Sequence, residues 1–255
     1  ERGQVELCMS PYAHPIIPLL LDMDSAREAM PDVPLPVNSH YPGGDDRARW
    51  HVQQGLATFD RVFGLRPAGL WPSEGGISQA ALELFAASDF RWVASGGDVL
   101  RNSHMDEDAS CSHRVYRFGD AAIDCIFRDD GLSDLIGFNY SDWHAESAVA
   151  NLLGHMENIA AVCPDRDNCL ITIILDGENA WEYYPENGYH FLSELYARLA
   201  SHPQLRLTTM QHLWSPVAGS TAPSQPGSAM RTKTGPGNCS LRPNTGLMSR
   251  WPAAN

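Results

Sequence analysis

The sequence predicts an α/β fold in which strands and helices alternate around a parallel sheet or barrel, and three observations carry that expectation. Residues 169–175 (CLITIIL) form an unbroken hydrophobic or β-branched run, the mark of a strand buried on both faces as in a parallel sheet. The carboxylates Asp176 and Glu178 follow it directly, at the strand end where α/β enzymes place their chemistry. The unit of short strand, polar loop and amphipathic helix then recurs along the chain.

Taken in order, residues 3–8 alternate well enough for a short strand. The following SPYAHP leads to an apolar helix over 15–30, where Pro15 suits a first turn because its missing N–H would have no partner there. His14 sits in that connection. After a long loop rich in Pro and Gly (31–44), residues 45–63 read as a helix with Trp50, Leu56, Phe59 and Phe63 on its core face. In RPAGLWPSEGGIS (66–78) a short strand ends at Trp71, Pro72 interrupts it, and Glu74 stands before two glycines. Ser78 caps a helix over 79–89 that packs Ala81, Leu82, Leu84 and Phe85 inward. A small strand at 91–95 precedes a polar loop at 96–108, and 115–118 with 122–127 form a strand pair joined at Gly119 and Asp120.

Residues 142–162 make an amphipathic helix with Val149, Leu152, Leu153, Met156 and Ile159 at helical spacing. It feeds the apolar run at 169–175, which a helix at 188–201 and a last strand at 205–209 follow. From Ser215 to the end no acidic residue and no apolar period occurs, so 215–255 reads as an irregular tail beside a body at 1–214.

Composition removes some functions. All 31 acidic residues but only 14 of the 18 basic ones precede Ser215, a net of −17 that disfavours nucleic acid or any other polyanion as a partner. The six cysteines, at 8, 111, 125, 163, 169 and 239, show no CxxC pair and read as free buried thiols rather than a zinc site. His14, His40 and His51 show no ligand pair at helical spacing, which argues against a metal-dependent deacetylase-like barrel. No apolar run approaches the ~20 residues that cross a bilayer, and the first residues show no signal-peptide pattern.

Glu74 and Asp176 stand at equivalent points of two units, each just after a strand. If those strands are parallel, both carboxylates face one end, which suits glycosidic cleavage by a nucleophile and an acid/base held roughly 5–5.5 Å apart. Either acid alone would serve equally to cap the next helix. Trp71, Trp181, Tyr183 and Tyr184 flank the two acids as platforms for sugar rings or as core fillers. His14 fits a hydrogen bond to a substrate hydroxyl or a carboxylate as well as a structural place. Arg128 and Asp129 either line the same edge or pair with each other.

Five co-linear segments carry a resemblance: GQVEL (3–7), AHPIIPLL (13–20), GLWPSEGGIS (69–78), FRDDGLSDLIGFNYSDW (127–143) and ILDGENAWEYYPENG (174–188). Together they resemble the catalytic domain of glycoside hydrolase family 57 over residues 1 to about 214. The resemblance implies an incomplete (β/α)7 barrel, retaining action on α-glucans of the α-amylase type without metal or organic cofactor, and a cytoplasmic setting. Residue by residue it makes Glu74 the nucleophile and Asp176 the general acid/base. It assigns substrate-binding or neighbouring roles to Glu6, His14, Trp71, Arg128, Asp129, Glu178 and Trp181. The family's opening His-Gln-Pro motif and its fifth motif have no counterpart, so the chain reads as truncated at both ends. That leaves three readings open: a hydrolase, an α-glucan transferase of the glucanotransferase or branching type using the same acids, and an inactive glucan-binding domain.

Overall fold

A computed structural model describes residues 3–103, 111–118, 123–166, 168–177 and 181–214, together with the backbone of 229–230. Three helices come first: α1 (Ile17–Leu21), α2 (Ala26–Ala29) and α3 (Gly44–Phe63). The apolar helix expected over 15–30 is thus broken. Asp22 turns extended between the pieces and its side chain accepts the Asp24 N–H, a local bond that competes with helix continuation. α3 buries Ala48, Val52, Leu56 and Phe59, whereas Trp50 and Phe63, expected in the core, are about half exposed. Gly55 takes part of the buried stripe instead, because a Cβ there would fall 2.5 Å from the Met9 methyl.

The sheet follows. β1 (Gly69–Leu70) pairs parallel with β2 (Trp92–Ser95), and β2 pairs parallel with β4 (Asp124–Phe127). β3 (Tyr116–Phe118) lies antiparallel to β4, as the expected strand pair requires, and a last pairing joins β3 to β5 (Ala229–Met230). Helix α4 (Gln79–Ala87) links β1 to β2, and its N-terminus is capped by the Ser78 side chain, as the sequence indicates. Helix α5 (Gly97–Ser103) occupies part of the stretch read as a polar loop. Leu100 anchors it with no exposed surface, and Arg101 pairs with Asp98 on its outer face.

Both faces of the strands are covered, which explains their lack of polar alternation. Val93, Cys125 and Phe127 point to one side and pack with Leu70, Phe85 and the buried faces of α1, α3 and α4. Trp92, Ala94 and Ile126 point to the other and meet Trp71, Leu170 and Ile174. Beyond β4 come α6 (Asp130–Asp134), a π-helical turn at Leu135–Asn139, α7 (Ala145–Val162), α8 (Tyr189–Ala200) and α9 (Met210–Trp214). α6, α7 and α8 share a second cluster built on Ile136, Tyr140, Leu152, Leu153, Phe191 and Leu195.

Three expected strands are not ladder strands. Residues 3–8 are largely exposed, and pairing is confined to an isolated bridge of Met9 with Leu70, made by Met9 N–H to Gly69 O (3.2 Å) and Trp71 N–H to Met9 O (2.9 Å). Met9 alone in that stretch is buried, so only there does contact offset the cost of ordering. Residues 205–209 are likewise mostly exposed, with Leu207 in solvent. Residues 169–175 are half-buried rather than fully buried, with Ile171, Ile173 and Leu175 against the helical cluster and Leu170 and Ile174 against the sheet. The alternation of a strand is present, but β4 ends at Phe127 and leaves no strand backbone to pair with its upper half.

Among the described residues no helix is long and apolar enough to cross a membrane. The described cysteines are free thiols; Cys125 alone of them is buried, and burial pushes its thiol up to about 12.

Candidate active site

The candidate site is built on the C-terminal ends of β1, β2 and β4 and on the segment that runs beside them to Asp176. Pro72 lacks the N–H a ladder needs and ends β1. The chain then makes a tight turn at Ser73–Gly75, in which Glu74 adopts φ 55° and Gly75 φ 67°. Left-handed backbone is unfavourable for a residue with a Cβ. The turn is held by Ser95, whose hydroxyl donates to Gly75 O (2.6 Å) from the end of β2. A Cβ at Gly75 would stand 3.1 Å from the Trp71 ring, so glycine there lets the turn lie against the indole.

Held this way, the Glu74 carboxylate projects into solvent, its side chain 78% exposed. His14 Nε2 donates to its Oε1 at 3.0 Å. Ala13 and His14 are also left-handed, with φ 58° and 57°. Two left-handed non-glycine residues, Glu74 and His14, are therefore hydrogen-bonded to each other, and such strain concentrates at functional sites.

Asp176 ends the segment beside β4. Leu170 N–H donates to His113 O (2.9 Å), Asp129 N–H to Thr172 O (2.8 Å), Ile174 N–H to the Ser133 hydroxyl (3.2 Å), and Arg128 Nε to Ile174 O (3.0 Å). The segment thus runs with β4, and Asp176 emerges at the same end of the sheet as Glu74. Side-chain alternation continued from Leu170 and Ile174 puts Asp176 on the face that holds Trp71. Asp176 is exposed and makes no hydrogen bond among the described residues.

The remaining sequence candidates divide. Trp71 is half-buried beside the Glu74 turn. Glu178 lies outside the described residues. Glu6 receives hydrogen bonds from Trp92 Nε1 (3.1 Å) and the Gln211 amide (2.7 Å), so both of its oxygens are engaged by the protein, one of them at the start of β2. Trp181 is packed against Tyr184 and Phe191 at centroid distances of 5.3 and 6.0 Å, and Gly188 leaves room for its ring. Tyr184 is buried with its hydroxyl on Ile136 O (2.5 Å), whereas Tyr183 is 75% exposed.

The Arg128–Asp129 ion pair considered from sequence does not form. Arg128 pairs instead with Asp130 (3.0 Å) and Asp134 (2.7 Å), because the turn of α6 carries those two carboxylates back over its guanidinium. Burial alone would lower the Arg128 pKa, but these two partners raise it. Asp129 bonds His113 Nε2 (2.8 Å) and caps α6 through the Leu132 N–H (2.8 Å). Burial works to raise its pKa, but the His113 and Leu132 hydrogen bonds and the Arg128 charge outweigh it and hold the carboxyl below the usual range.

A depressed folded-state pKa contributes stability that is present above the ordinary carboxylate range and is lost as pH falls through the depressed value. Urea unfolding of the native protein between about pH 6 and pH 3 is therefore expected to show an acid-side loss that Asp129→Asn diminishes. At pH 7 the same substitution costs about 1–3 kcal/mol, because a single amide oxygen cannot accept from both His113 and the Leu132 N–H as the two carboxylate oxygens do. An unchanged acid limb in Asp129→Asn would remove Asp129 as a source of the loss.

Two members of this network, His113 and Ser133, were not among the sequence candidates. Ser133 lies four residues after Asp129, a spacing at which a helical serine bonds the preceding turn, and that signal was available. His113 gave none, since its partner comes from another element. Among the described residues no group of three or more His, Cys, Asp or Glu is arranged to hold a metal ion. An open cleft of about 450 Å³ lies where α7 and α8 begin, lined by His144, Ala145, Glu146, His190, Ser193 and Glu194. It contains none of the strand-end residues.

Residues 1–219 match the profile described as Glycosyl hydrolase family 57. No functionally curated protein matches the chain. Among solved structures, a branching enzyme of this family from Thermococcus kodakaraensis superposes with a TM-score of 0.60 at 13% identity, covering 83% of this chain and 47% of its own. An α-amylase from Thermotoga maritima gives 0.60 at 12% identity over 83% and 48%. A 4-α-glucanotransferase from Thermococcus litoralis gives 0.55 at 15% over 83% and 28%. The chain thus spans less than half the length of each, and the shared fold bears out the incomplete (β/α)7 barrel. With the profile match over most of its length and the five co-linear segments in order, the chain belongs to glycosyl hydrolase family 57.

Proposed function

We propose that this domain performs retaining chemistry on α-glucosidic bonds, with hydrolysis of the α-amylase type as its reaction. Glu74 attacks the anomeric carbon as Asp176 gives its proton to the departing glycosidic oxygen, so that one C–O bond forms and one breaks. Asp176, now a carboxylate, takes a proton from water, whose oxygen attacks the anomeric carbon and releases Glu74. His14 engages one oxygen of Glu74 and leaves the other to react. Trp71 offers a ring face beside the turn for a sugar.

The reading rests on Glu74 just past the C-terminal end of β1 and Asp176 at the exposed end of the segment beside β4, with Glu74 on a strained turn whose hydrogen bond among the described residues comes from His14. Transfer to a sugar hydroxyl in place of water uses the same two acids. It is favoured as the second reading because two of the three superposed proteins are described as a branching enzyme and a glucanotransferase.

Proton NMR of the anomeric region during digestion of a soluble α-glucan tests the stereochemistry. The first-formed reducing ends are expected in the α configuration, with the β anomer appearing only by later mutarotation. Products formed first as β would overturn the retaining assignment. New chains longer than a supplied oligosaccharide would show transfer.

A further inference from the structure

The segment that carries Asp176 has no strand partner at its upper end, yet one of its residues is held as firmly as a ladder residue. Ile174 donates its N–H to Ser133 Oγ (3.2 Å) and receives Arg128 Nε on its carbonyl (3.0 Å). A neighbouring strand satisfies one residue in that two-sided way; here two side chains do it, because the backbone past Phe127 has turned away into α6.

Both side chains are themselves fixed. The Arg128 guanidinium is held at Nη1 by Asp130 (3.0 Å) and at Nη2 by Asp134 (2.7 Å), leaving Nε to face the carbonyl. Asp130 also accepts Arg101 from α5 (2.9 Å), so the clamp is braced against the neighbouring helix. Ser133 is fully buried, and its proton is committed to Asp129 O (2.6 Å), which turns an oxygen lone pair toward the Ile174 N–H. Asp129 N–H fixes Thr172 O two residues earlier (2.8 Å).

We propose that Arg128 and Ser133 are positioning residues for Asp176, acting through the Ile174 peptide to hold the acid/base carboxylate in place. This rests on the reading of Asp176 as acid/base, and it gives Arg128 a role different from direct sugar contact. Two planar peptide units joined at freely turning φ and ψ torsions separate Ile174 from Asp176, so loosening the clamp displaces the carboxylate without removing it. A misplacement of about 1 Å costs on the order of 100-fold in rate.

The test uses Arg128→Lys, Arg128→Met and Ser133→Ala in the whole protein, with two substrates: a soluble α-glucan, whose leaving group must be protonated, and an α-glucosyl fluoride, whose leaving group needs little proton donation. On the glucan, kcat is expected to fall by about 10- to 100-fold with KM within about twofold. On the fluoride, the loss in kcat/KM, which reports the first chemical step and not the base-assisted second one, should shrink to less than about fivefold, the pattern expected of a displaced acid. Arg128→Lys keeps the charge between Asp130 and Asp134 but cannot donate from the Nε position, so it should show the same substrate dependence.

Equal losses in kcat/KM on both substrates, or a rise in KM with kcat unchanged, would overturn the positioning role and return Arg128 to general stability or to sugar binding. Asp176→Asn run alongside separates the two ideas. If Asp176→Asn retains glucan turnover, the acid/base reading itself fails. If it loses turnover while the Arg128 and Ser133 variants keep wild-type kcat, only the clamp fails.

Discussion

Glu74→Gln is expected to lower turnover of a soluble α-glucan by about 10⁴-fold or more while leaving the fold and the melting temperature essentially unchanged. The amide removes the nucleophilic oxygen, without which the bond to the anomeric carbon does not form. Stability should survive because the side chain is 78% exposed and its hydrogen bond among the described residues is to His14. The turn does not depend on the carboxylate, since Ser95 holds Gly75 by its backbone. Initial rates of reducing-end release together with a thermal melt check both halves of this expectation. Turnover within tenfold of the native rate would show that the nucleophile is elsewhere.

Asp176→Asn is expected to cost about 10²- to 10⁴-fold on the same glucan, and less on an α-glucosyl fluoride in the first chemical step. Its amide can neither protonate the glycosidic oxygen nor take a proton from water. Azide, which attacks the glucosyl intermediate without a general base, should restore part of the fluoride turnover and yield α-glucosyl azide. Failure of azide to accelerate the variant, alongside an equal loss on both substrates, would remove Asp176 from the acid/base role. Folding should be unaffected, because Asp176 is exposed and bonds nothing among the described residues.

These two effects follow from where the acids stand, and the route to that placement differs for each. For Glu74 the local sequence was nearly sufficient. Pro72 stops a strand, a glycine pair permits a tight turn, and an acid on such a turn is presented outward. Its left-handed φ and its bond to His14, sixty residues earlier, were not legible, since both depend on the turn meeting the 13–14 corner. For Asp176 the apolar run predicted a strand, and alternation was preserved, with Leu170 and Ile174 to one side and Ile171, Ile173 and Leu175 to the other. The expected ladder was absent because ladder bonds need a second backbone at the right height, and β4 stops short.

Aromatic residues show the same division. Trp181 and Tyr184 read as sugar platforms as readily as core fillers, because a ring serves both uses. Packing against Phe191 and Gly188 places Trp181 among core contacts. Trp50 went the other way: helical spacing put it on the buried face of α3, yet it is half exposed and meets Tyr12 edge-on at 5.7 Å.

By itself the sequence determined the α/β class, the bodies of the long helices at 44–63, 145–162 and 189–200 and the Ser78 cap, because apolar period and capping are properties of neighbours in the chain. Only the tertiary structure decided that Arg128 turns from Asp129 to Asp130 and Asp134, that His113 takes Asp129, and that Ser133 and Arg128 grip Ile174. A charged or hydroxyl side chain has several acceptors within reach in sequence. Which one it takes is set by the elements that burial brings alongside, and that is a property of the packed molecule rather than of any stretch of the chain.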